Sequence, residues 1–174
     1  MRFPLGTLVL GAVSALPVPG LAETTSEVLF AHKSWEVQVV SFDDGTVECL
    51  AQVSDGSRSF SLWADVSASI ELQFYDDAWN LGEGDTANLT VAIDGRAPWT
   101  LNNAELHKQS VFFTLPDEDS GVDFITEVMR GNVLYLNAEN GDAVESYSLA
   151  GSSASVGALI DCMDALGSDA NPFN

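Results

Sequence analysis

Hydrophobic positions along most of this chain recur with period two, the signature of strands that bury one face. In 35–42, Trp35, Val37 and Val39 alternate with Glu36, Gln38 and Val40, and Asp43-Asp44-Gly45 closes the run with a tight turn. The next strand is 46–54, ended by Asp55-Gly56-Ser57. Phe60, Leu62 and Ala64 alternate through 59–66, and Ile70, Leu72 and Phe74 through 69–75. Residues 76–85 carry no period and predict the longest irregular connection. Leu89, Val91 and Ile93 then mark a strand over 86–94. Asp94-Gly95 turns it into 96–101, which Pro98 restricts to an edge or a strand entrance. Residues 105–115 predict one further strand, with Val111, Phe113 and Leu115 on one side.

Two helices enter late. Pro116-Asp117-Glu118-Asp119-Ser120 puts acids and caps where a helix dipole favours them. Val122, Ile125, Val128 and Met129 follow as an apolar stripe, Arg130 falls in the last turn and Gly131 is the stop. Strands at 132–138 and 143–149 flank Asn140-Gly141, a strong hairpin signal. Gly151-Ser152-Ser153 breaks the last strand, and Ser152 or Ser153 is the expected cap of a second helix over 154–166. Residues 23–34 are polar and read as irregular, and 167–174 as frayed. About nine short strands and two helices give a mainly β (α+β) domain. An antiparallel β-sandwich or open barrel, with the helices covering one end or edge, is the expected architecture.

The N-terminus reads as an address. Met1-Arg2 supplies a positive start, 3–16 is apolar and free of acids, and Pro17-Val18-Pro19-Gly20 breaks the run before the small residues around Ala22. Residues 1–22 therefore predict a cleavable secretory signal, and 23–174 a single β-rich domain. The prolines and the small-residue exit argue against a retained membrane anchor. The expected protein is periplasmic or secreted, with no membrane insertion after cleavage.

Charge narrows the partners. The 174 residues carry 26 Asp plus Glu against 6 Lys plus Arg, a net charge of −20. Phosphate backbones need clustered Lys and Arg, so nucleic acid is excluded as a partner, and anionic lipid is disfavoured for the same reason. A basic protein is the partner such a surface fits. The two cysteines, Cys49 and Cys162, lie on apolar stripes of a predicted strand and a predicted helix. In an exported chain they read as one disulfide, closing a loop whose chain-entropy value is about 4–5 kcal/mol.

Chemistry-bearing patterns are sparse. His32 falls in the N-terminal arm and His107 on a strand surface, too few for a usual zinc site or a serine triad. The segment around Ser152 lacks the Gly-x-Ser-x-Gly elbow, and Gly82-x-Gly84 runs into a strand and not a helix, so no dinucleotide fingerprint exists. No cofactor is implied. Asp117, Asp119 and Asp123 do not meet the spacing of a calcium-binding EF-hand. Asn88-Leu89-Thr90 matches a glycosylation sequon inside a strand. Trp35, Trp63 and Trp99 occupy strand positions suited to core packing or edge covering. The 76–85 connection gathers Asp76, Asp77, Trp79, Glu83 and Asp85. It is the candidate partner-binding loop, with Trp79 as its anchor, and its four acids are a weak Ca²⁺ candidate.

Three stretches carry a family likeness. They are Trp35-Glu36-Val37 ahead of Cys49-Leu50-Ala51-Gln52, the helix-Gly-strand segment 128–136, and the segment 147–162 ending in Cys162. Together they resemble the invasion-associated locus B family of small exported proteobacterial proteins. The resemblance implies a β-sandwich-like domain with a late strand-Gly-helix ending, and transfers no catalytic residue. Members often pair a cysteine near the first Trp with one nearby, and tend to be more basic. Here Val37-Gln38-Val39 occupies that neighbourhood. The expectation is a non-enzymatic, exported binding or structural module. An inhibitor of a cationic wall-degrading enzyme such as lysozyme is the alternative, with an acid-pair hydrolase third.

Overall fold

A computed structural model of the protein describes residues 24–168. The signal reading of 1–22 lies outside these residues, as does the fraying of 169–174, whereas Gly167 and Ser168 belong to the second helix. The elements in chain order are β1 (Thr25–His32), β2 (Trp35–Ser41), β3 (Val47–Ser54), β4 (Arg58–Ala64), β5 (Ile70–Asp76), β6 (Glu83–Ile93), β7 (Trp99–His107), β8 (Ser110–Thr114), α1 (Asp119–Arg130), β9 (Val133–Ala138), β10 (Ala143–Ser148) and α2 (Ser152–Ser168). The ten strands form one sheet in the order β1-β2-β3-β4-β5-β8-β7-β6-β9-β10, and every pairing is antiparallel.

Register converts the period-two pattern into one continuous apolar surface. Trp35, Val37 and Val39 of β2 stand opposite Val53, Ala51 and Cys49 of β3. Those three meet Phe60, Leu62 and Ala64 of β4, which meet Phe74, Leu72 and Ile70 of β5. A shift of one residue anywhere would turn a whole strand's apolar set to water. The sheet curls so that its far end returns over its first half. Tyr147 of β10 packs 6.0 Å from both Phe60 and Phe74, and Trp35 donates its indole N–H to the Ser148 carbonyl at 3.1 Å. The mainly β, sandwich-like architecture expected above is what the chain adopts.

The helices close this core. Phe124 and Val128 of α1 are buried, and Trp99 meets Phe124 edge-on at 5.6 Å. Leu159 and Cys162 of α2 are buried over the face of β2 and β3, with Met163 and Leu166 half-buried beside them. Cys162 is bonded to Cys49. Ser152 opens α2, and its buried hydroxyl donates to the Val128 carbonyl at 2.7 Å, joining the two helices. At the start of α1, Glu118 makes no side-chain cap bond, leaving Asp119 in the first turn to meet the dipole by charge. Gly131 does stop α1, but in extended backbone. A Cβ there would come within 2.5 Å of Ile93 and 2.7 Å of Leu149, so close packing requires the glycine.

Several expected boundaries change. Residues 25–32 are a strand, not an irregular arm, and His32 sits on it. Strand β1 lies at a sheet edge with almost every residue exposed, so it writes no buried alternation into the sequence. The expected single strand over 105–115 is split between β7 and β8, with His107 opposite Ser110 across Lys108-Gln109. The same two-residue geometry joins β1 to β2 through Lys33-Ser34. Both lysines adopt positive φ, 56° in each case, where Gly or Asn is the usual signal. Pro98 does precede a strand entrance, at Trp99, yet β7 lies between β6 and β8 and not at an edge. Finally, Asp76 ends β5, and Glu83, Gly84 and Asp85 belong to β6, so the irregular connection shrinks to 77–82.

Two stability outcomes follow from this geometry. The positive φ at Lys33 costs up to about 1 kcal/mol that glycine would not incur. Lys33→Gly is therefore expected to raise the urea unfolding midpoint. The double substitution Cys49→Ala, Cys162→Ala releases a cross-link spanning 113 residues. It should cost about 4–5 kcal/mol in the same measurement.

Candidate functional site

The outer face of the sheet carries an arrangement that the strand pattern reads only as polar alternation. Trp63 of β4 points away from the core and is half-buried. It is held by Phe42 at 6.1 Å and by donating its indole N–H to Gln73 Oε1 at 2.7 Å. Gln73 in turn donates to the Ser110 hydroxyl at 2.9 Å, which fixes its orientation. Glu71 of β5 stands directly opposite Trp63, and Glu48 lies on β3 one strand away. A depression of about 170 Å³ is bounded by Glu48, Trp63, Asp65, Ser69, Glu71 and Thr114. A second, of about 250 Å³, is bounded by Glu71, Asn103, Glu105, Phe112 and Thr114 among others. Glu71 is common to both. Among the described residues no Lys or Arg lines either one.

The carboxylates here are held against their own charge. Partial burial, followed by repulsion from Asp65 and Asp44, pushes Glu48 above the usual carboxylate range. Burial also raises Glu71, reinforced by Glu105 and Glu48 and opposed by a hydrogen bond from Thr114. Two acids elsewhere are relieved. Arg58 binds Asp55 at 2.5 Å and Glu145 at 2.7 Å, and the bonds from Arg58 and Ser57 bring Asp55 far below its ordinary value. Asp94 accepts backbone N–H bonds from Val133 and Asn132, which lower it as well. The sheet face is thus distinguished by two glutamates that, among the described residues, no cation or backbone donor neutralises.

The residues singled out in the sequence are placed as follows. Trp79 is half-buried and packs on the core, beside a shallow groove of about 520 Å³ that also touches Asn80, Glu83 and Lys108. Asp76 accepts the backbone N–H of Ala78 at 2.8 Å, Asp77 is exposed, and Glu83 pairs with Lys108 at 3.4 Å. Asp85 is exposed on β6. Among the described residues no three His, Cys, Asp or Glu side chains converge as a metal-binding set. Asp76, Asp77, Glu83 and Asp85 therefore do not form the Ca²⁺ cluster considered above, because Glu83 and Asp85 leave along β6 while Asp76 ends β5. His107 is exposed at the end of β7. Ser152 is spent on Val128. Asn88 is half-buried, bonded through its side chain to Glu139 and to the backbone N–H of Asn103. The sequence reading missed Glu48 and Glu71 because they lie far apart in the chain, and only register brings them to one Trp.

Comparison with known protein families, with characterised proteins and with solved structures finds no match for this chain.

The raised carboxyls set a pH dependence. Folded Glu71 holds its proton to a higher pH than the unfolded chain does, so the stability this supplies is present at low pH. It is lost as pH rises from 4.5 through the folded value. Glu71→Gln should therefore be more stable than the parent at neutral pH, with the difference vanishing below 4.5. Thermal melts of both proteins across pH 4 to 8 read this directly.

Proposed function

We propose that the protein is an exported, non-enzymatic binding module that recruits a basic protein through the outer sheet face around Trp63, Glu48 and Glu71. The resemblance to the invasion-associated locus B family supports the exported, β-sandwich-like part of this reading. The observation that carries the proposal is geometric: Glu48 and Glu71, both half-buried, flank Trp63 in one depression, and among the described residues no Lys or Arg lines it. Burial, with repulsion from neighbouring acids, penalises their charged form in the free protein, and a Lys or Arg side chain set between them offsets that penalty. Trp63 adds a flat, fixed aromatic surface on which a cation stacks favourably. The Cys49–Cys162 bridge is compatible with an oxidising compartment. Among the described residues no helix is long and apolar enough to cross a membrane.

Lysozyme serves as a basic test protein, with affinity and muramidase activity read together. The double variant Glu48→Gln, Glu71→Gln should weaken binding about ten-fold, the worth of roughly two partly buried ion pairs. Asp161→Asn with Asp164→Asn, an equal charge change on exposed α2 positions, should change it about two-fold or less. Equal effects from the two variants would mean that net charge alone binds the partner, and would overturn the sheet-face reading. Loss of muramidase activity on mixing would move the assignment to an inhibitor.

A further inference from the structure

Helix α1 is apolar on more of its circumference than the domain uses. Gly121, Phe124 and Val128 are its buried residues. Val122, Ile125 and Met129 repeat at helical spacing beside them and face a groove of about 580 Å³. The apolar stripe read from the sequence joined Val128 to these three, but Val128 is buried while Val122 is 67% exposed. The opposite wall is α2, with Val156 and Ile160, the latter 50% exposed. Ile70 and Leu115, at the end of the sheet, contribute to the lining. Asp117, Glu118 and Asp119 rim the end of the groove at the start of α1, and among the described residues no Lys or Arg lines it.

We infer that this groove receives a basic amphipathic helix of a partner protein. The inference stands apart from the sheet-face reading, since none of the residues lining the groove belongs to that face. Two helical walls spaced to leave an apolar trough take a third helix by ridges-into-grooves packing. The partner's apolar stripe removes Val122 and Ile160 from water, and its Lys or Arg residues meet the acidic rim. Charge disfavours two other occupants. A second copy brings a second acidic rim and another net charge of −20, and an anionic amphiphile places its head group against the same three acids.

The test uses a Leu/Lys peptide of about 18 residues, enough for about five helical turns, and a scrambled isomer of identical composition. Fluorescence anisotropy gives affinities, and amide shift mapping on the parent protein locates the site. The amphipathic peptide should bind at least about ten-fold tighter than its isomer. Shifts should centre on Val122, Ile125, Met129 and Ile160. Val122→Ser with Ile160→Ser, at exposed positions outside the core, should abolish the difference between the peptides. Asp117→Asn, Glu118→Gln, Asp119→Asn together should weaken binding and flatten its salt dependence, while in the Glu48→Gln, Glu71→Gln variant the amphipathic peptide should keep its full advantage over its isomer. Equal binding of both peptides, an unaffected Val122→Ser, Ile160→Ser variant, or shifts elsewhere would overturn the inference. If binding is lost only with Glu48→Gln, Glu71→Gln, the groove assignment fails and the sheet-face reading stands. Sedimentation as a dimer that Val122→Ser, Ile160→Ser dissociates would assign the groove to a second copy and would equally overturn it.

Discussion

The aromatic contact between β10 and the strands it faces holds the architecture closed. Ten strands paired in a single order leave a long sheet with an apolar surface that no external layer covers completely. Phe60 and Phe74 stack at 5.2 Å, Trp35 meets Phe60 edge-on at 6.1 Å, and Tyr147 reaches both phenylalanines from the far end of the sheet. Each ring buries a large area, and their offset and edge-on geometries add to the burial term. Curling the sheet brings these groups together and lets one surface serve as both walls of the core. The ion pair of Arg58 with Glu145 and the indole bond of Trp35 to Ser148 lie on the same seam. They set the approach of β10, and the aromatic burial supplies most of its driving force.

Closure at that seam decides what the helices must do. Helix α2 covers β2 and β3 and is tied there by the disulfide, while α1 is held against α2 through Ser152 and against the sheet through Phe124 and Val128. Because α2 takes the central position, α1 is buried only on the side that faces the sheet and α2. Its neighbouring apolar stripe is left at the groove between the helices. The surplus of apolar residues on α1 is a consequence of placement, since the sequence alone cannot say which of two adjacent stripes a neighbour will cover.

The charge has a similar history. An excess of acids over bases this large makes every local cluster suspect, and the clusters that stand out in the sequence dissolve in the fold. Asp76 and Asp77 part from Glu83 and Asp85 because the chain enters β6 three residues earlier than the hydrophobic pattern suggests. The carboxylates that do crowd one another, Glu48, Asp65, Glu71 and Glu105, come from four different segments. Their interaction runs across strands, where neighbouring side chains stand about 5 Å apart, and not along the chain.

Local chemistry determined much of this protein. Alternation placed most of β2 to β6, β9 and β10, the acids and Arg130 bracketed α1, and the apolar spacing around Cys49 and Cys162 turned both toward the core. These features were legible because each is set by neighbours within a few residues, through backbone preference or the need to bury one face. Tertiary structure decided the rest. The two lysine turns at Lys33 and Lys108 are tolerated at positive φ because the strands on either side pair well enough to outweigh the strain. Strand β1 exists because β2 offers it an edge, not because its own residues demand burial. Which helix stripe stays exposed, and which distant glutamates share Trp63, depend on strand order and on the curl of the sheet. Those are long-range properties, fixed only when remote segments compete to cover the same apolar surface, and no window of the sequence contains them.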